Sequence, residues 1–84
     1  GLTDVPSGLF DGLVAAASFA FAFQNCALTQ PAVDEILASL DRCAVTDWEG
    51  NTLSINLGTS SPPSAAGIVS ADSLRAKNMI VEHN

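Results

Sequence analysis

The sequence predicts an α/β fold with three parallel strands and helices on one face. Three observations predict it. Apolar residues alternate at 18 to 23 and again at 52 to 58, and a third short apolar run follows at 79 to 82. Stretches with helical spacing lie between the first and second runs and between the second and third. Strands that alternate with helices imply crossover connections, and crossovers imply a parallel sheet.

The 84 residues suit one domain spanning 1 to 84, with a modest core and a thin stability margin. Hydrophobic content is 48%, well above that of a disordered acidic chain, so folding is expected. The net charge is −6, and Arg42, Arg75 and Lys77 are the only firm cations. Nucleic-acid binding needs clustered Lys and Arg, and so does binding to an anionic membrane surface. Both are therefore disfavoured. The apolar stretch at 13 to 23 is shorter than the roughly 20 residues a membrane span requires. Cys26 and Cys43 are too few for a disulfide scaffold; they form one bridge or remain two thiols. The chain opens on Gly1, which reads as a processed protein or a piece of a longer one.

Residues 1 to 17 carry turn signals at Pro6-Ser7-Gly8 and Asp11-Gly12 and read as a loop with a short helical turn. In "SFAFAF", period-two spacing puts Phe19, Phe21 and Phe23 on one face of a strand. A helix over 9 to 23 competes, since Ala is the best helix former. Thr29 is a good N-cap and Pro31 fits the first turn of the next element. Val33, Ile36, Leu37 and Leu40 then recur at i, i+3, i+4 and i+7, predicting a helix over 30 to 42. Asp34 and Glu35 near its start and Arg42 at its end suit the helix dipole.

"TDWEGN" is a polar turn, and Leu53, Ile55 and Leu57 alternate in a strand over 52 to 58. "TSSPPS" is a stiff connector, because each residue before a proline is pushed out of helix. Ser64 caps a helix over 65 to 77 with Ile68, Val69 and Leu74 inward, weakened by about 1 kcal/mol at Gly67. Asn78 takes the left-handed conformation that ends helices, and "MIVE" is the last strand.

The opening stretch fits a strand followed by a tight bend with Cys inside, in the pattern L-x-x-L-x-L-x-x-N/C-x-L. Phe21 and Phe23 take the second and third leucine places, Cys26 the N/C place and Leu28 the last, while Ser18 departs from the first. With Asn25, Thr29, Val33, Asp34, Ile36, Leu37, Thr52, Leu53, Pro63, Ser64, Gly67, Leu74, Val81 and Asn84, the chain resembles a leucine-rich-repeat-like (BspA-like) terminal module of phage virion and bacterial surface proteins. Asn78 and Met79 depart from its usual Gly and Trp. The resemblance implies a short leucine-rich-repeat-like solenoid and a structural role on a virion tail, fibre or appendage. The alternative it implies is an extracellular adhesin that binds a host glycan or protein.

No catalytic, cofactor or metal site is legible. Cys26 as a nucleophile needs a base, and the only His, His83, stands at the far end of the chain. Cys26, Cys43 and His83 lack short metal-ligand spacing. "DWEGN" alternates Asp47, Glu49 and Asn51 like the start of a calcium loop, but its Gly comes one place early. Asp34 and Glu35 are helix neighbours and face no common point. Trp48 either anchors a protein contact or covers the core. Thr59, Ser60 and Ser61 belong to the connector or to a contact loop. These four are the candidate partner contacts of an interaction module that assembles with copies of itself or docks on a larger virion or cell-surface partner.

Overall fold

A computed structural model describes residues 3–15, 23–56 and 58–84. Helix α1, Gln30–Arg42, starts where its capping chemistry places it. Thr29 is extended at φ −71° and ψ 160°, and its hydroxyl accepts from the Ala32 amide at 3.4 Å. Val33, Ile36, Leu37 and Leu40 are fully buried on one face. Cys43 ends the helix by donating its amide to the Ser39 carbonyl. Asp34 and Glu35 fall beyond the first turn, which holds no acidic residue, and their carboxylates serve other parts of the chain.

Strand β1, Thr52–Ser54, and strand β2, Ile80–Glu82, pair in parallel with Thr52 opposite Ile80, Leu53 opposite Val81 and Ser54 opposite Glu82. Helix α2, Ala65–Ala76, makes the crossover between them. Ser64 caps it, its hydroxyl accepting from the Gly67 amide. Asn78, at φ 73°, turns the chain back after it, and Met79 donates its amide to the Leu74 carbonyl. The core lies between the two helices and the sheet, and holds Trp48, Leu53, Ile55 and Leu74 at 1% exposure or less. Phe23 joins its margin, edge-on to Phe10 with ring centroids 6.2 Å apart.

Several expectations are corrected here. The leucine-rich-repeat solenoid is overturned: among the described residues there is one helix–strand–helix–strand unit and one open sheet of two strands. A solenoid repeats its unit and adds a strand to the same sheet each time, and among the described residues no strand is added beyond the second. The resemblance to that repeat module fails with it. The bend at Asn25-Cys26, read as the turn inside a repeat, packs instead against the later connector. Thr59 donates its amide to the Cys26 carbonyl at 3.1 Å and Ser61 to that of Leu28 at 2.9 Å. Gly58 permits this crossing, since a Cβ there would lie 2.6 Å from the Cys26 carbonyl oxygen.

The aromatic strand at 18 to 23 falls mostly outside the described residues; Phe23, its last member, sits in a bend. The strand from 52 ends at Ser54, although Ile55 still donates its amide to the Glu82 carbonyl. Finally, Ile68 and Val69 point outward, not inward. They are 38% and 70% exposed, whereas Gly67, Ala71 and Leu74 form the buried face of α2.

Candidate functional site

Trp48 lies in the core with no exposed surface, so of its two sequence roles the structure gives it the inner one. It is held there by its backbone: its amide donates to the Lys77 carbonyl at 2.7 Å, and its carbonyl accepts from Asn51. An indole in that position offers no face on which a glycan or a partner could stack.

The connector residues divide. Ser60 is buried, and its hydroxyl accepts from the Leu28 amide at 3.0 Å while donating to the Cys26 carbonyl at 2.9 Å. One side chain thus serves a donor and an acceptor of the segment at 26 to 28, beside the backbone bonds from Thr59 and Ser61. Asn84 closes the other side, donating to the Gly58 and Ser60 carbonyls. Thr59 is exposed and Ser61 half-buried, so these two keep surface to offer.

A groove of about 320 Å³ runs between α1 and α2, lined by Pro31, Asp34, Glu35, Ala38, Ala66, Gly67 and Ser70. Its carboxylates are already engaged. Asp34 accepts from the Ser64 amide at 2.9 Å and from the Ser64 hydroxyl at 2.5 Å, which ties α1 to the start of α2. Glu35 accepts from the Gly8 amide and from Arg42, both at 2.7 Å, and these contacts hold its carboxyl below the usual range. Arg42 also grips Asp11, so the turn at Gly8 is strapped onto α1. At the far end, Asp41 accepts from Ser73 at 2.7 Å and Lys77 at 2.8 Å. Burial raises the Asp41 carboxyl, but the Lys77 and Ser73 hydrogen bonds outweigh it and the net direction is down. Asp34 and Asp41 thus join helix to helix, and Glu35 joins α1 to the Gly8 turn.

The remaining sequence candidates are structural as well. Cys26 and Cys43 are free and buried, donating to the Gln24 and Leu40 carbonyls. The "DWEGN" turn is closed by Asp47, which accepts from the Glu49 amide and from Asn78, with Gly50 at φ 80°. The Asn78 side chain, then the Glu49 amide, hold the Asp47 carboxyl low. No group of His, Cys, Asp and Glu suited to a metal ion occurs among the described residues. No helix among them is long and apolar enough to cross a membrane.

What sequence reasoning missed is the outer face of α2. Ala65, Ile68 and Val69 are exposed together on its first two turns, while Ala66 lines the groove toward α1. The signal was present: Gly67, Ala71 and Leu74 also recur at i, i+4 and i+7, and small residues allow the closer approach to α1. No protein-family model matches the chain, and neither curated proteins nor solved structures give a match.

Proposed function

We propose that the chain is a structural, protein-binding module that seats the outer face of α2 on a partner protein. The observation that carries this reading is Val69, 70% exposed beside Ile68 at 38%, on a helix face that carries Ala65 one turn before and Asp72 one turn after. An ordinary surface helix puts charge there. Clustered exposed apolar side chains favour a contact that removes them from water, at about 25 cal/mol for each Å² covered. With a net charge of −6, a partner with a basic rim is favoured over a second copy. Thr59 and Ser61 are the polar contacts retained from the sequence. A virion or cell-surface setting was implied by the resemblance alone, and this reading needs neither.

The test is site-specific photo-crosslinking in the native cell extract. A photoreactive residue at position 69 should give one discrete adduct that Ile68→Asp abolishes, whereas the same probe at Glu49 should give none. Equal labelling at both positions, or no adduct at 69, refutes the reading. An adduct of twice the chain mass would assign the face to self-assembly.

A further inference from the structure

Among the described residues, a helix side chain occupies the β2 edge of the sheet. In β2, Ile80 donates its amide to the Asn51 carbonyl and Glu82 accepts from the Ile55 amide, so both face β1. Alternate residues of a parallel strand bond the same neighbour. The amide and carbonyl of Val81 therefore point to the other side, where the described sheet has no third strand. Arg75 sits there. It reaches from the last turn of α2 and donates Nη2 to the Val81 carbonyl at 2.8 Å, while Nη1 meets Asp72 at 3.2 Å. An arginine in the last helical turn would ordinarily serve the helix carbonyls. This one covers a strand edge six residues further on.

We infer that Arg75 is an edge guard, and that the site it covers accepts β2 of a second copy in antiparallel register about Val81. The site is self-complementary. Val81 is only 6% exposed beneath Arg75, but it carries one donor and one acceptor on that side, which is what two copies exchange across a two-fold axis. In that register Ile80 lies opposite Glu82 of the second copy, so no like charges face each other. Ile80 is 59% exposed and would be covered by the pairing. The guard fits a general need, because an unblocked edge is a template for unwanted strand addition. Arg75 stands on α2 but outside the Ile68 and Val69 patch, so the two readings rest on different residues.

The experiment is sedimentation velocity over a concentration series, with circular dichroism on each sample. Arg75→Ala should dimerise at least about tenfold more tightly than the parent chain, while Arg75→Lys, which still reaches a carbonyl, should behave as the parent. Arg75→Ala is one unit more negative than the parent, so charge alone would disperse it. Adding Ile80→Glu to Arg75→Ala sets like charges opposite each other and should abolish the dimer, while adding Ile80→Lys should tighten it. Arg75→Ala that stays as monomeric as the parent overturns the inference. So do equal effects of the two Ile80 changes. Loss of the folded spectrum in Arg75→Ala also overturns it, since Arg75 would then hold the fold and not guard an edge.

Discussion

Gly67→Ala provides the sharpest test of how the two helices meet. Helix propensity by itself makes this change stabilising by about 1 kcal/mol. The packing reverses the sign. A Cβ on Gly67 would collide with the Asp34 carboxylate and lie 2.7 Å from Cβ of Pro63. Neither neighbour is free to yield. Asp34 holds both the amide and the hydroxyl of Ser64, the residue that caps α2, and Pro63 is buried. Overpacking of this kind costs about 1–3 kcal/mol. Displacing Asp34 also weakens hydrogen bonds to a charged acceptor, about 1.5 kcal/mol at the lower end because the site is only part-buried. Set against the propensity gain, the net loss is about 1.5–3.5 kcal/mol.

In thermal unfolding that loss lowers the midpoint by about 6–28 °C for a chain of this size. Gly12→Ala is the control: a Cβ there meets nothing within 4 Å, so it should be neutral or slightly stabilising. A second arm isolates the cause. In an Asp34→Ala background the collision partner is gone, and Gly67→Ala should cost at least about 1 kcal/mol less than in the parent. A parent-background Gly67→Ala that is as stable as the parent refutes the reasoning, because the helices would then meet differently.

Two further outcomes are expected of the fold. Ser60→Ala removes the acceptor of a buried amide and the donor to a buried carbonyl, so urea unfolding should show a loss of about 1–3 kcal/mol; an unchanged midpoint would mean that the segment at 26 to 28 is satisfied without it. The Gly8 amide, then Arg42, hold the Glu35 carboxyl below its ordinary value of 4.5. The unfolded chain therefore takes up this proton first, and the contribution is whole above 4.5 and lost as pH falls through the folded value. Glu35→Gln should flatten that part of the acid limb in unfolding followed from neutral pH down through the carboxylate range, and an unaltered limb would show the Gly8 strap to be energetically silent.

Much of the local structure was legible in the sequence. Thr29 and Pro31 marked the start of α1 and Ser64 that of α2, and Asn78 adopts the left-handed turn assigned to it. The parallel pairing of the strand after Asn51 with the last one was legible from the helix between them. Caps, turns and crossovers depend on residues within a few positions of each other, so the sequence by itself determined them. It did not determine which elements share a layer. The bend at Asn25-Cys26 looks the same whether it faces a neighbouring repeat or the 59 to 61 connector, and only packing chose the connector. Trp48 could equally lie inside or outside a polar turn, until the Lys77 carbonyl and the core fixed it inside. On α2, hydrophobicity favoured Ile68 and Val69 as the inner face, but α1 approaches so closely at Asp34 that only Gly67 and its small neighbours fit. Burial is a contest between surfaces distant in sequence, and here distance of approach outweighed hydrophobicity.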